Sequence, residues 1–244
     1  MHSLPPHGRS QSVELPFNEQ ELKFYVPGAL TWSLLSWLEK TLLPHPVYPS
    51  ATIHSVYFDT AAGRSFQEKA ESYFHKTKYR LRWYCDDHGR PLDEPAFAEI
   101  KEKNGSARRK LRIAIPLSGS VVAKLSLDSV ELEELFHRHL PRASAPAERL
   151  IPMLDLHYER TRYVHPLFGD TFCLDKNIRC QRTHPGHLRP PSGKPLDFSV
   201  FEQKGASPDL LAPFRALPRF HLRKASVSKY FLISSQLLHS GTEV

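Results

Sequence analysis

Charged residues recur at every second position in five segments of the chain, and the positions between them are mostly apolar or aromatic. Side chains two residues apart point to the same face of a β-strand, so this alternation predicts strands with one charged and one apolar face. When such strands curl round together, their charged faces can line a shared interior. The alternating charged positions are Glu19, Glu21 and Lys23; Lys76, Lys78, Arg80 and Arg82; Glu99, Lys101 and Lys103; Arg108, Lys110 and Arg112; and Glu202 and Lys204.

The hydrophobic spacing and the turn residues predict an α+β fold dominated by one antiparallel sheet. The Asn104-Gly105 pair is a strong hairpin signal. Helices are expected over 29–42, after a turn within 59–71, twice within 117–140, over 207–216 and over 226–238. Eight strands are predicted, over 19–26, 52–58, 76–85, 97–103, 108–115, 153–164, 172–182 and 196–204.

The length and the charge narrow the class of protein. The chain has 244 residues, which suits one large β domain, and we expect a disordered tail over 1–16 followed by a single domain over 17–240. Lys and Arg number 33 against 26 acidic residues, for a net charge of +7. A basic balance predicts an anionic partner such as a nucleotide, a polyphosphate, a nucleic acid or a membrane surface, without choosing among them.

Cysteine usage and the N-terminal segment indicate the compartment. Cys85, Cys173 and Cys180 are an odd number without CxxC spacing, which argues against a disulfide framework and favours a reducing environment. The first sixteen residues lack the apolar core of a signal peptide, and no apolar run reaches the ~20 residues of a membrane helix. The chain is therefore predicted to be cytoplasmic, although it could sit beside a membrane-protein partner.

The repeated basic faces favour an anion site over an ordinary solvated sheet surface. Crowded like charges repel by about 1 kcal/mol per close pair in water and by more in a sheltered cleft, so an anion in the cleft would stabilise them. Glu99 and Glu202 are each followed two residues later by a lysine. Divalent cations such as Mg²⁺ take one or two carboxylates together with phosphate oxygens, so these glutamates could bind metal or could form plain ion pairs.

The motifs in their order resemble a known family. Glu19-x-Glu21-x-Lys23 is similar to the ExExK signature of the triphosphate tunnel metalloenzymes, also called the CYTH group. The other motifs resemble its polyphosphate-polymerase branch, the VTC domain, and the resemblance spans roughly residues 17–235. These motifs are Tyr57-Phe58-Asp59-Thr60, Lys78-x-Arg80-x-Arg82, Glu99-x-Lys101, Tyr158-x-Arg160-x-x-Tyr163, Phe201-Glu202-x-Lys204 and Ser228-Lys229-Tyr230.

The resemblance implies an eight-stranded antiparallel β tunnel, closed as a barrel, with helices outside and the C-terminal helix at the tunnel mouth. It implies Mn²⁺ or Mg²⁺ bound by Glu202, with Glu21 and Glu99 nearby. The residues implied in catalysis through phosphate contacts are Lys23, Arg80, Arg82, Lys101, Arg160 and Lys229. Those implied in further substrate binding are Lys78, Lys110, Arg112, Lys204 and Ser228.

One strand departs from the family pattern. Where the family has Arg-x-Thr-x-Asp, this chain has Thr171 and Cys173 before Asp175, so one phosphate-binding arginine is missing. Arg162 or Arg179 could take its place. Because arginine contacts to phosphate are charge-assisted and often bidentate, the loss bears on turnover more than on the fold.

The resemblance implies transfer of the γ-phosphoryl of ATP to a polyphosphate chain. Hydrolysis of a triphosphate, which the intact ExExK favours, and polyphosphate binding without catalysis both remain open. A nucleic-acid partner is not expected, because the aromatic residues of these strands alternate away from the charged face, whereas a binder of single strands places stacking aromatics on it.

Overall fold

One antiparallel sheet organises the chain in a computed structural model that describes residues 12–15, 20–86, 88–105, 107–205, 209–211, 214, 220 and 222–239. Its strands are β1 (Ser12–Leu15), β2 (Gln20–Pro27), β3 (Leu43–Pro44), β4 (Ser50–Asp59), β5 (His75–Cys85), β6 (Pro95–Asn104), β7 (Ala107–Ser118), β8 (Ile151–Val164), β9 (Thr171–Thr183), β10 (Phe198–Gly205) and β11 (Arg223–Lys224). Its helices are α1 (Thr31–Thr41), α2 (Arg64–Ala70), α3 (Gly119–Val122), α4 (Val130–His139) and α5 (Lys229–His239).

The strands follow one another in a single open path. Their order is β1-β7-β6-β5-β4-β8-β9-β10-β2-β11, and β3 pairs with β8 off this path. The predicted closed barrel is therefore wrong: among the strands that the structure describes, no backbone pairing joins the β7 end to the β2 end. The α+β class and the antiparallel sheet are confirmed.

Most predicted elements match the observed ones within a few residues. The Asn104-Gly105 hairpin forms as expected, with Asn104 opposite Ala107 and Gly105 at φ 59°. The eight predicted strands correspond to the eight strands of eight or more residues, and β1, β3 and β11 were not predicted. Strand β1 pairs with β7, and the division into a tail over 1–16 and a domain over 17–240 stays a prediction. Most of the helix predicted over 207–216 lies outside the described residues.

Two apolar clusters lie on the outer face of the sheet, which helices cover. Phe58 and Leu81 lie on that face of β4 and β5, and the Phe58 ring stacks 4.0 Å from that of Phe136 on α4. On the other half of the sheet, Leu34 of α1 packs in one cluster with Phe172 and Phe201. The apolar positions of the alternating segments thus build the core, and this leaves the charged positions on the inner face.

Helix α5 packs on the inner face instead. Its Tyr230 and Ile233 join a buried cluster with Ile53 and Val200, and Val200 is on the same strand face as Glu202. The helix therefore lies within the curl of the sheet, next to the charged positions. Within the described part of the chain, no helix has both the length and the apolar character needed to cross a bilayer, and the three cysteines are unpaired and buried.

Candidate active site

The charged faces of the strands converge on one cavity of about 240 Å³, which we call the basic cavity. Strands β2, β4, β5, β6, β7, β8 and β10 and the start of α5 all contribute to its wall. Its lining residues are Glu21, Lys23, Tyr57, Lys78, Arg80, Arg82, Tyr84, Lys101, Lys110, Tyr158, Arg160, Arg162, Glu202, Lys204, Val227, Ser228 and Lys229.

The basic cavity continues at both ends into wider cavities. At the start of β5 lies one of about 320 Å³, the lysine mouth, which includes Lys76 and Lys103 and shares Lys78 with the basic cavity. At the end of β5 lies one of about 500 Å³, the aromatic mouth, which shares Tyr84 with the basic cavity. At ~3.3 Å per residue, the inner positions from Lys76 to Tyr84 span about 26 Å. The three cavities share lining residues and follow one another along β5, and we call this row of cavities the passage.

Ion pairs close the gap between the two ends of the sheet. The Glu21 carboxylate on β2 lies 2.8 Å from the Lys101 ammonium on β6 and 3.5 Å from the Arg108 guanidinium on β7. These strands are far apart in the strand order, so the contacts show that the sheet curls round until its ends face each other. Side chains therefore complete the wall that the predicted barrel would have closed with backbone hydrogen bonds.

Two carboxylates in the wall share one ammonium group. Lys23 contacts Glu202 and lies 3.2 Å from Glu21, and Arg160 lies 3.3 Å from the other Glu202 oxygen. Burial acts to raise the pKa of Glu202, but Lys23, Arg160 and Lys229 outweigh it and hold that pKa well below its usual range. The Glu21 pKa is also lowered, because Lys23 and Lys101 outweigh the effect of burial. Both groups are therefore carboxylates at neutral pH.

These two carboxylates fit a hard divalent cation. Mg²⁺ typically takes one or two carboxylates and completes its shell with phosphate oxygens and water, and Glu21 and Glu202 already converge on one cation, the Lys23 ammonium. The described residues contain no cluster of three or more His, Cys, Asp or Glu side chains arranged to hold a metal by themselves. A metal here would be held by these two carboxylates, and water or phosphate oxygens of the substrate would complete its shell.

Asp175, which was assigned no site role from the sequence, holds two of the predicted phosphate-binding residues. Its fully buried carboxylate accepts hydrogen bonds of 2.5 and 2.6 Å from Arg160 and lies 2.5 Å from the Lys229 ammonium. Burial acts to lower the pKa of Lys229, but Asp175 and Glu202 outweigh it and raise that pKa. Lys229 is therefore a fixed cation, held at the beginning of α5.

Glu99 is the common counter-ion of four basic residues. It is 1% exposed, it lies behind the cavity wall rather than lining it, and its carboxylate is 2.5 Å from Arg80 and 3.0 Å from Lys110. Arg82 and Arg112 are each 3.6 Å away. The predicted metal role of Glu99 stays a prediction, and its surroundings favour a structural role in holding the basic wall.

Tyrosine hydroxyls orient the arginines, and these residues were also missed. Tyr57 accepts from Arg80 at 3.3 Å, and Tyr158 accepts from Arg82 at 3.2 Å. Both tyrosines lie on the charged face of their strands, so their position in the alternation could have revealed them. Because the hydroxyls hold the guanidinium groups without cancelling their charge, they keep the wall positive and ordered.

Three lysines of the wall have lowered pKa values. Burial lowers the pKa of Lys110 to about 7 and that of Lys101 to about 8, with Glu99 and Glu21 respectively acting in the opposite direction. Burial and neighbouring cations, chiefly Lys101 and Lys23, place the Lys78 pKa well below its usual value. A bound anion would oppose each of these shifts, because it favours the charged form of the lysine. The basic cavity therefore favours the binding of an anion.

The Tyr57-Phe58-Asp59-Thr60 motif positions α5. Asp59, at the end of β4, accepts backbone hydrogen bonds from Thr60, Ser65 and Phe66 around the start of α2. It also accepts a 2.8 Å hydrogen bond from the Tyr230 hydroxyl. This contact fixes the first turn of α5, where Lys229 faces the cavity.

The predicted site residues are brought together with two exceptions. Twelve of the fourteen line the basic cavity; Arg112 lines the aromatic mouth, and Glu99 lies behind the wall. Of the two possible substitutes for the missing family arginine, Arg162 lines the basic cavity, whereas Arg179 does not and donates to His157. The first glutamate of the ExExK motif, Glu19, lies outside the described residues.

The fold is similar to that of a candidate adenylate cyclase from Bacillus halodurans. The two are 14% identical, the likeness covers 88% of this chain and 95% of that one, and the TM-score is 0.51. The Schizosaccharomyces pombe Mediator head module matches at a TM-score of 0.42 and 12% identity, covering 94% of this chain and 96% of that one; no common fold is inferred at that score. None of the curated proteins matches the chain.

The fold likeness and the sequence together support a triphosphate-tunnel fold. The VTC domain model matches residues 18–237, nearly the whole chain. The chain therefore belongs to the VTC domain family, which confirms the resemblance in its motifs.

Proposed function

We propose that the protein is a metal-dependent polyphosphate polymerase that transfers the γ-phosphoryl of ATP to a polyphosphate chain. A terminal oxygen of the chain attacks the γ-phosphorus, the bond from that phosphorus to the β–γ bridging oxygen breaks, and ADP leaves. The single observation that carries the proposal is the basic cavity, into which cations from six strands and α5 converge.

Such a reaction asks the protein mainly for alignment and for charge stabilisation. Arg80, Arg82 and Arg160 present guanidinium groups that suit bidentate contact with phosphate oxygens, and these groups are held by Glu99, by tyrosine hydroxyls and by Asp175. Lys23 and Lys229 add point charges beside the same oxygen of Glu202. Because these groups are ordered by protein partners, they can receive a phosphate chain with little rearrangement.

A divalent cation, Mn²⁺ or Mg²⁺, fits Glu202 and Glu21, and when bound it would neutralise phosphate charge. The missing family arginine does not exclude turnover, because Arg162 supplies a guanidinium to the same cavity.

Incubation with ATP and Mn²⁺ tests the proposal. We expect ADP and a ladder of polyphosphate on a gel. Release of orthophosphate without a ladder would indicate that the protein hydrolyses its substrate instead of polymerising phosphate. Tight polyphosphate binding with neither product would indicate a non-catalytic binding module. Glu202→Gln should abolish turnover while sparing tripolyphosphate binding, and loss of that binding as well would contradict the assignment of Glu202 to metal.

The setting of the reaction is also part of the proposal. The unpaired cysteines support a reducing, cytoplasmic location. Nucleic acid is not expected as a substrate, since the tyrosines of the basic cavity point their hydroxyls at arginines.

A further inference from the structure

The two mouths of the passage differ in charge. The lysine mouth is lined by eight cationic side chains and one carboxylate, Glu21. The aromatic mouth is lined by two arginines, Arg112 and Arg162, and by two carboxylates, Asp86 and Glu94. A phosphate chain is therefore favoured at the lysine end, whereas the other end suits a group that is uncharged and polar.

The aromatic mouth also offers surfaces for a planar ring. The Arg112 guanidinium lies 3.6 Å above the Phe97 ring and donates a 3.1 Å hydrogen bond to the Tyr84 hydroxyl, so a flat cationic surface is fixed in the wall. Tyr48 stands at the rim and is 63% exposed. Aromatic rings and arginine planes of this kind are the groups on which proteins stack nucleobases.

The rim tyrosine is tied to the phosphate-facing wall. Its backbone carbonyl accepts a 3.2 Å hydrogen bond from Arg162, which lines both the basic cavity and the aromatic mouth. Pro46 and Pro49 flank the segment and restrict its backbone. At about 500 Å³, the cavity lies within the usual range for small-molecule sites. A stacking surface thus lies directly beside the triphosphate position.

We infer that the aromatic mouth binds the nucleoside of a nucleoside triphosphate, so that the triphosphate points through the basic cavity toward the lysine mouth. This assignment rests on the proposed function, because it requires the basic cavity to hold a triphosphate. It gives the passage a direction: the nucleoside diphosphate leaves by the aromatic mouth, and the polyphosphate chain occupies the lysine mouth.

Calorimetric binding of ATP and of tripolyphosphate to the full chain tests the direction. Tyr48→Ala should weaken ATP binding about tenfold, the effect of losing one base-stacking contact, and should leave tripolyphosphate binding unchanged. The matched control is Tyr73→Ala, which removes an exposed aromatic residue two positions before β5, at the lysine end. We expect that control to change neither affinity.

The outcomes separate this inference from the proposed function. If the native protein binds both ligands and Tyr48→Ala leaves ATP affinity intact, the nucleoside assignment is wrong while the triphosphate site stands. If Tyr73→Ala weakens ATP selectively, the direction is reversed and the inference fails. If the native protein binds neither ligand, the proposed function fails and the inference fails with it. Because Tyr48 is exposed, its replacement is not expected to unfold the chain.

Discussion

Replacing Glu99 with glutamine would test whether this buried carboxylate is the counter-ion of the basic wall. The change keeps the volume and removes the charge that faces Arg80, Arg82, Lys110 and Arg112. Breaking a buried ion pair from one side costs about 3–5 kcal/mol. Because the cations are partly exposed to the cavity, the lower end applies, and a loss of about 3 kcal/mol corresponds to a melting temperature lower by about 6–12 °C for a chain of this size.

Thermal melts with and without tripolyphosphate would measure this effect. The ligand should raise the melting temperature of Glu99→Gln more than that of the native protein, because its charge replaces the missing carboxylate. Glu102→Gln is the matched control: this glutamate is also on β6, is partly exposed and lies 3.6 Å from Arg109, so its loss should cost less than about 1 kcal/mol. A Glu99→Gln protein that melts like the control but loses metal-dependent ligand binding would refute the counter-ion argument and establish Glu99 as a metal ligand.

Three further changes test separate parts of the site. Since the Lys110 pKa is about 7, the Lys110 ammonium loses its charge as the pH rises through that value. The affinity for tripolyphosphate should therefore fall less with rising pH in Lys110→Arg than in the native protein. Identical calorimetric affinity profiles of the two proteins from about pH 6 to about pH 9 would contradict this. Because that pKa is lower in the folded than in the unfolded state, Lys110 should also add stability to the free protein as the pH rises from about 7 toward about 10, as chemical denaturation can measure. Tyr230→Phe removes the hydrogen bond to Asp59 and should lower the free energy of unfolding by about 1 kcal/mol and speed amide exchange in α5; unchanged exchange would mean that ring packing alone fixes the helix. Lys76 and Lys103 are directly opposite each other on β5 and β6, so changing both to glutamine should stabilise the free protein slightly. The double change should also weaken the binding of long polyphosphate chains but not that of ATP. Equal losses of affinity for both ligands would place ATP in the lysine mouth.

The alternation of charged and apolar residues predicted the sheet because each strand has a different neighbour on each face. On β5, Lys78 and Arg80 face the cavity while Tyr79 and Leu81 pack outward, as the two-residue period requires. The same pattern could not predict how the sheet ends meet, because closure depends on the curvature summed over many strands. The two-residue strands β3 and β11 carry no period to detect.

The site was predictable to the extent that its residues follow the charged alternation. Asp175 and the tyrosines on the same strand faces were missed because a hydroxyl carries no charge and a single carboxylate does not form an alternating pattern. Glu99 shows the opposite limit: it shares a strand face with Lys101, yet it lies behind Arg80 and Lys110 rather than in the cavity. Whether a side chain lies in the cavity or behind longer side chains depends on the folded sheet, and the spacing of charged residues in the sequence does not reveal it.

The ammonium of Lys23 links anion binding to metal binding. In the free protein it is shared by Glu21 and Glu202, so a divalent cation must compete with it for the same oxygens. A triphosphate that draws Lys23 toward its own oxygens would release both carboxylates, and by linkage a bound metal would strengthen triphosphate binding in return. Lys23→Gln should therefore bind Mn²⁺ more tightly than the native protein in the absence of any phosphate, as electron paramagnetic resonance can measure. Equal Mn²⁺ affinities of Lys23→Gln and the native protein would mean that the ammonium does not compete with the metal for the carboxylates. The metal site and the triphosphate site would then be independent.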